Sequence, residues 1–133
     1  AIGYLYNRGI TFDEILKHNI GYCEDGMYAG RTIIPSYNSD GELNYFVARS
    51  FYEDEPYKYK NPPISRDVIV FENQINWNEP ITLVEGVFDS FSVKRNVIPL
   101  LGKFLLSKLK NKIMENVESV WAVVVTLITV PVP

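Results

Sequence analysis

The sequence contains almost none of the side chains that build disulfides or zinc sites. Among its 133 residues there is one cysteine, Cys23, and one histidine, His18. A disulfide within the chain is therefore excluded, and a structural zinc site lacks the set of ligands that it needs. We expect both residues to have structural roles, and this cysteine usage suits a cytoplasmic protein.

Long apolar runs and a strong charge of either sign are missing as well. No stretch reaches the length of a transmembrane helix, so we expect no membrane partner. The net charge is only −3, and any nucleic-acid surface must therefore be a local patch. The chain begins with Ala rather than Met and has no charged-then-apolar leader, so we expect a fragment of a longer protein.

The first half of the chain has the pattern of a mixed α+β lobe. Gly9 separates two short predicted helices within residues 1–18, and Thr11 with Glu14 forms a capping-box pattern. Residues 31–50 predict an antiparallel hairpin, because two runs rich in β-branched and aromatic residues flank an Asn-Ser-Asp-Gly turn.

Prolines mark the less regular parts of this half. Pro35, inside the first run of the hairpin, predicts an edge strand or a bulge. Residues 52–66 are typical of a loop, whereas Val68–Phe71 predicts a short strand. The best boundary between lobes lies at residues 73–80, which divides the chain into two predicted domains, 1–79 and 80–133.

From residue 80 onward, apolar strands alternate with helices. The strands are predicted at 81–85, 97–101 and 120–130, and the helices at 87–95 and 104–117. This alternation predicts an α/β lobe whose parallel strands are joined by right-handed crossovers. The second helix should turn five apolar residues inward, namely Leu105, Leu106, Leu109, Ile113 and Val117.

Two carboxylates follow the first of these strands. Glu85 ends the strand, Gly86 allows a tight turn, and Asp89 lies in the first turn of the next helix. Such a pair can hold Mg²⁺ directly or through water, because the ion takes a few oxygen ligands and keeps several waters. Alternatively, both carboxylates only stabilise the helix, because negative charge is favoured near the positive end of the helix dipole. The residues alone leave both interpretations open.

Seven short segments carry motifs that occur in a consistent order. They are Tyr4–Ile10, Ile20–Tyr22, Arg31–Pro35, Phe46–Arg49, Lys58–Pro63, Val84–Asp89 and Leu100–Gly102. Together they resemble the signatures of DnaG-type DNA primases of bacteria and phages. The first five resemble "YLxxRGI", "IGY", "RIMFPI", "GFGGR" and "KYLNSP", and the last two resemble the "EGYxD" and "SLGT" elements of the Toprim domain. Toprim nucleases and topoisomerases share only that domain, so the upstream segments favour primase.

The resemblance implies a DNA-directed RNA polymerase that joins ribonucleoside triphosphates into short RNA primers on single-stranded DNA, with a replicative helicase as partner in a primosome. It implies a basic, template-binding lobe in residues 1–79 and a partial Toprim domain in 80–133. It assigns catalysis and the binding of Mg²⁺ or Mn²⁺ to Glu85 and Asp89. The implied nucleic-acid or nucleotide ligands are Arg49, Lys58, Asn61 and Arg66.

Elementary chemistry is compatible with these assignments. Arg and Lys neutralise phosphates, and the tyrosines on either side of Lys58 suit stacking on single-stranded bases. The alternative is a solvated loop of mixed charge, since the acidic run Glu53–Glu55 lies close by.

The sequence departs from the family at two points. The family's zinc-binding module has no counterpart here, and no acidic residue follows Glu118, where the family has an Asp-x-Asp pair after the third strand. A truncated or divergent tail would explain the missing Asp-x-Asp pair. A non-catalytic nucleic-acid-binding module with a degenerate Toprim domain would explain it as well. We expect the fragment alone to be inactive or nearly so.

Overall fold

Two compact units make up the protein, Ala1–Ser65 and Arg66–Pro133. The structure is a computed structural model that describes residues 1–116 and the backbone of residues 122–124. Within these residues, no helix is long and apolar enough to cross a membrane. The elements in chain order are α1 Ile2–Asn7, α2 Phe12–Lys17, β1 Gly21–Cys23, β2 Arg31–Tyr37, β3 Leu43–Ser50, β4 Ile81–Val84, α3 Val87–Val93, β5 Val97–Pro99, α4 Ser107–Glu115 and β6 Ala122–Val124.

The first unit opens with the two short helices that the sequence predicts. Gly9 has a φ of 80°, a left-handed conformation that suits glycine and separates α1 from α2. The Thr11 hydroxyl accepts the backbone N–H of Glu14 at 3.2 Å and caps α2. Phe12 and Leu16 are nevertheless exposed, because a helix of six residues offers less than two turns for packing.

An antiparallel sheet with the strand order β1-β2-β3 forms the rest of this unit, and the predicted hairpin is confirmed. The turn between β2 and β3 is closed by the Asn38 side chain. Its Oδ1 accepts the N–H groups of Asp40 at 2.9 Å and of Glu42 at 3.0 Å. Asn is common in turns because its side chain can bond nearby backbone groups in place of the backbone bonds of a helix or sheet.

Pro35 lies on the central strand of this sheet, so the prediction of an edge strand is wrong. It pairs with Phe46 of β3, while the pairing of β2 with β1 ends at Ile33. The missing N–H of proline therefore removes no bond to β1. The register shifts between Ser36 and Tyr37, which agrees with the alternative prediction of a bulge.

The second unit contains a parallel sheet with the order β5-β4-β6. The parallel strands predicted near 81–85 and 97–101 are therefore confirmed in one sheet. Of the third predicted strand, 120–130, the structure describes Ala122–Val124, and the rest lies outside the described residues. The core of this unit is built from Ile69, Ile81, Leu83, Ile98 and Leu109.

The start of the second unit lies upstream of the predicted boundary at 73–80. Asp67 Oδ1 accepts the N–H of Lys108 at 2.9 Å, in the first turn of α4, and Ile69 packs in the core. These contacts tie the segment to the second unit. The strand predicted at Val68–Phe71 is wrong, since Phe71 is left-handed with a φ of 61° and leads into a 3₁₀ turn, Glu72–Gln74.

Helix α4 begins later than the sequence predicts. Because it starts at Ser107, Leu105 and Leu106 lie outside it and are exposed, and their predicted inward orientation is wrong. Leu109 is buried as predicted and Ile113 packs against the core, whereas Val117 lies outside the described residues.

His18 ends α2, and its partial burial, helped by the nearby charge of Lys17, lowers the pKa of the imidazole from 6.5 to about 4. A positive charge on His18 is therefore disfavoured, although the negative end of the helix dipole would favour it. Between these two values the unfolded chain binds more protons, so stability is lost as the pH falls from 6.5 towards 4. We expect the unfolding free energy to drop by about 1–2 kcal/mol at pH 5 relative to pH 7 through this group. Urea titrations at several pH values should show that the unfolding free energy of the His18→Gln variant changes less between pH 7 and pH 5 than that of the unmodified protein. If the unfolding free energies of both proteins fell equally over this range, the assignment to His18 would be wrong.

Candidate functional site

Arg49 lies on β3 with its guanidinium group between two tyrosine rings. Its central carbon is 5.9 Å from the ring centre of Tyr4 and 5.0 Å from that of Tyr59, which are cation–π distances. The Nε and Nη1 atoms are buried and have no hydrogen-bond partner. Since a buried donor without an acceptor is costly, this side chain is better suited to an added anion than to its present surroundings.

The cavity beside Arg49, here called the arginine–tyrosine pocket, has a volume of about 360 Å³. Aromatic rings crowd it: Phe51 lies 6.4 Å from Tyr4, 5.7 Å from Tyr22 and 4.5 Å from Tyr52, measured between ring centres. The hydroxyl of the exposed Tyr22 donates a hydrogen bond to Tyr52, which raises the pKa of Tyr22. The pocket lining is Tyr4, Arg49, Ser50, Phe51, Tyr52, Glu53 and Lys58.

Lys58 reaches the same pocket but has a structural task there. Its Nζ donates to the carbonyl oxygens of Tyr52 at 2.7 Å and of Glu53 at 2.9 Å. An ammonium group has three donors, so two of them hold the turn that follows β3. The phosphate-binding role predicted for Lys58 stays a prediction, and the structure adds this second role.

The segment 58–60 pairs with the outer edge of β3. The N–H of Ser50 donates to Lys58 O at 2.8 Å, and the N–H of Lys60 donates to Ala48 O at 3.0 Å. The Asn61 Oδ1 accepts the N–H of Ala48 at 3.3 Å. The oxygen of Asn61 is thus used within the fold, and its amide nitrogen is the part of the side chain left to meet a ligand.

Arg66 belongs to the second compact unit rather than the first. Its side chain is exposed, and Nη1 donates to Leu101 O at 3.3 Å. Of the four predicted nucleic-acid ligands, the structure therefore brings Arg49, Lys58 and Asn61 together around β3, while Arg66 has its contacts elsewhere.

Glu85 and Asp89 occupy the end of β4 and the first turn of α3. Gly86 between them is the N-cap of α3, and a Cβ atom at this position would lie 3.3 Å from Asp89 Oδ2. The backbone turn thus brings the Asp89 carboxylate close to the residue that follows Glu85. Both acidic residues are half-buried, and among the described residues neither carboxylate has a hydrogen bond or an ion pair.

Two carboxylates are fewer than a protein-only metal cage requires. The described residues contain no group of three or more acidic, histidine or cysteine side chains that could hold a metal ion. Two half-buried, unpaired carboxylates do fit a hydrated Mg²⁺ or Mn²⁺, which keeps waters in its remaining positions. The segment in which the Asp-x-Asp pair was expected lies outside the described residues.

Several pocket residues were not predicted as site residues from the sequence. Tyr4 belonged to one of the primase-like motifs without a role, and Tyr52 was assigned only to the loop. No local pattern indicates that Tyr4 contacts Arg49, 45 residues along the chain.

Comparison of the sequence with protein-family profiles and with curated proteins finds no match. Solved structures do match. The primase of Aquifex aeolicus, with its zinc-binding and RNA polymerase domains, has a TM-score of 0.77 at 20% identity over 95% of this chain and 42% of that chain. The E. coli primase catalytic core has a TM-score of 0.69 at 17% identity, over 94% and 53%.

A third match is the DnaG primase catalytic domain bound to single-stranded DNA, with a TM-score of 0.69 at 17% identity over 94% of this chain and 54% of that chain. The chain thus spans about half the length of the structures that it matches. Both the α+β unit and the parallel sheet agree with the fold class expected from the sequence. The chain has the fold of the DnaG-type primase catalytic core.

Proposed function

We propose that this chain is part of a DNA primase, a DNA-directed RNA polymerase that makes short RNA primers on single-stranded DNA. The observation that carries the proposal is the likeness to DnaG-type catalytic cores over nearly the whole chain. One of those cores is described as bound to single-stranded DNA. The full-length protein would work in the cytoplasm with a replicative helicase and ribonucleoside triphosphates.

In this proposal the first unit holds the template. The half-buried guanidinium of Arg49 would bind a backbone phosphate, since its Nε and Nη1 have no partner in the fold. The tyrosine rings beside it would stack on bases, as exposed aromatic rings do in proteins that bind single strands. Lys58 would add positive charge while holding the turn at residues 52–53. The template-binding lobe predicted from the sequence, 1–79, would then consist mostly of this unit, while its last residues belong to the second unit.

The second unit would carry the chemistry, as the beginning of a Toprim domain. The 3′-hydroxyl of the primer attacks the α-phosphate of the incoming nucleotide, and pyrophosphate leaves. Glu85 would bind Mg²⁺ or Mn²⁺, or accept the hydroxyl proton, and Asp89 would support the same site. When bound, the metal supplies positive charge against the phosphates. Arg66, exposed in this unit, would hold nucleotide phosphate.

DNA binding by the first unit is tested by the salt dependence of affinity. Each neutralised phosphate contributes about one unit to the slope of log K against log salt. We expect Arg49→Ala to weaken the binding of an oligothymidine and to lower the slope by about one, and the double variant with Lys58→Ala to lower it by one to two. Fluorescence anisotropy between low and moderate salt gives the slope.

The matched control is Lys17→Ala, which removes an exposed positive charge from α2 of the same unit. It should leave the slope nearly unchanged. Arg49→Lys keeps the charge and loses the planar stack, so it separates phosphate binding from the tyrosine contacts. An unchanged slope in the double variant would mean that the cations form only a solvated face.

A further inference from the structure

Three consecutive apolar residues are exposed between β5 and α4 in the second unit. Phe104, Leu105 and Leu106 are 77%, 42% and 39% exposed. Single apolar residues on a surface are common, but an exposed run of three favours aggregation unless it has a function. We call these three residues the apolar loop.

The apolar loop is held at both ends. On one side, the N–H of Gly102 donates to the carbonyl oxygen of Glu85 at 3.1 Å. On the other side, Asp67 Oδ1 accepts the N–H of Lys108 at 2.9 Å, and the buried Leu109 packs α4 on the core. The exposed side chains therefore project from a fixed backbone, which lowers the entropic cost of binding a partner.

Positive charge surrounds the apolar loop. Residues 103–112 contain four lysines and no acidic residue, although the whole chain has a net charge of −3. One of the lysines lies 5.6 Å from the ring centre of Trp77 and is used within the unit. The other three are exposed, and among the described residues their ammonium groups have no hydrogen bond or ion pair. They are Lys103, Lys108 and Lys110.

We propose that the apolar loop and these three lysines dock a segment of another protein in which acidic residues alternate with large apolar ones. The apolar side chains of the segment would cover the loop, and its carboxylates would face the lysines. Carboxylates are further favoured beside Lys108, because the first turn of α4 is the positive end of the helix dipole and contains no acidic residue. The proposal goes beyond primer synthesis and does not depend on it.

Two other kinds of partner fit this surface less well. Leu105 and Leu106 are aliphatic, so they cannot stack on the bases of a single strand as aromatic rings do. A membrane surface would need a longer apolar face, but the apolar side of α4 is already occupied, since Leu109 is 3% exposed and Ile113 packs against the core. A protein segment is therefore the occupant that the observations favour.

Fluorescence anisotropy of the full chain with a labelled probe peptide, in which Asp and Glu alternate with Leu and Phe, tests the proposal. One control peptide has Ser in place of Leu and Phe, and a second has Gln in place of Asp and Glu. Each should bind about tenfold more weakly, because each keeps only one of the two kinds of contact. Equal binding of the probe peptide and the Ser peptide would overturn the proposal.

Phe104→Ala should weaken the binding of the probe peptide by about tenfold, since apolar area is no longer covered. The matched control is Phe12→Ala, which removes a 52% exposed ring from α2 of the first unit and should leave the affinity unchanged. If Phe104→Ala bound the peptide as tightly as the unmodified chain, the apolar loop would not be the docking surface.

The double variant Lys108→Glu with Lys110→Glu should bind the probe peptide about tenfold more weakly and gain affinity for a peptide with Lys in place of Asp and Glu. A misfolded variant would lose both affinities, so this exchange of preference reports on charge complementarity alone. Lys17→Glu, on α2 of the first unit, is the control and should change neither. An unchanged preference in the double variant would refute the role of the lysines.

Other occupants would give different results. Phosphatidylglycerol vesicles or an oligothymidine that bound in place of the probe peptide, and bound less to the double variant, would assign the surface to a membrane or to nucleic acid and overturn the proposal. Self-association in sedimentation velocity that is lost in Phe104→Ala, without binding of the probe peptide, would assign it to a second copy. Oligothymidine binding that is the same in the double variant would separate this surface from the template contacts of the first unit.

Discussion

Replacement of Glu85 by Gln in the full-length protein is expected to lower primer synthesis by on the order of 100-fold or more, since a positioned acid–base group contributes at least that much. The amide keeps the size of the side chain but can neither hold a divalent cation well nor accept a proton. Binding of single-stranded DNA should stay nearly unchanged, because Glu85 belongs to the second unit and carries no positive charge for phosphate. Primer yield on a single-stranded template and anisotropy with the same DNA measure the two effects.

Glu115→Gln is the matched control for this variant. Glu115 is exposed in the last turn of α4, so the same chemical change there should leave primer yield unaltered. If the Glu85→Gln protein made primers at the parent rate, the catalytic role of this residue would be wrong. A non-catalytic nucleic-acid-binding module with a degenerate Toprim domain would then be the better interpretation.

The largest effect on stability is expected at Asn96, whose side chain connects β5 to the segment before β4. Its Nδ2 donates to Asn76 O and Pro80 O, each at 2.9 Å, and its Oδ1 accepts the N–H of Asn76 at 2.8 Å. Its backbone is left-handed, with a φ of 45°. Asn96→Ala should lower the unfolding free energy by about 3 kcal/mol, from lost hydrogen bonds and from a conformation that alanine adopts poorly. Urea denaturation measures this loss.

Asn96→Gly separates the two causes. Glycine loses the same side-chain hydrogen bonds but tolerates the left-handed conformation, so this variant should be about 1 kcal/mol more stable than the alanine variant. Equal stabilities would show that the backbone conformation contributes nothing. Losses below about 0.5 kcal/mol in both variants, the range of ordinary surface substitutions, would contradict the connecting role of the side chain.

Features determined by neighbouring residues were predictable from the sequence. The hairpin follows from Asn38 and Gly41, whose turn chemistry acts over four residues. The parallel strands follow from continuous apolar runs with helical patterns between them. The cap of α2 follows from Thr11 and Glu14 at the correct spacing.

Features determined by distant contacts were not predictable. Val68–Phe71 has the composition of a strand, yet Ile69 is used in a core with β4, β5 and α4, and none of the strands in the described residues pairs with it. The cap that Asp67 provides to α4 joins residues 41 positions apart. This contact also explains why the boundary of the second unit lies before residue 66 rather than at 73–80.

In the candidate site, too, features determined by neighbouring residues were predictable and features determined by distant contacts were not. The turn at Gly86 and the order of the two carboxylates could be derived from the sequence, whereas Arg49 was selected through the resemblance to primases. The bonds of Lys58 to two carbonyl groups depend on how the loop after β3 folds back, which no pattern of residue types indicates. Burial of Arg31 beside the Tyr57 carbonyl depends on the same loop.

The pairing of residues 58–60 with β3 has a further consequence, for aggregation. An exposed outer strand presents free N–H and C=O groups that another chain can extend into an intermolecular sheet. Here the groups of Ala48 and Ser50 are taken up by Lys58, Lys60 and Asn61. The segment that carries the cations thus also protects the sheet edge. Substitutions that loosen it would expose the edge, and a loss of DNA binding in such variants has to be checked against self-association.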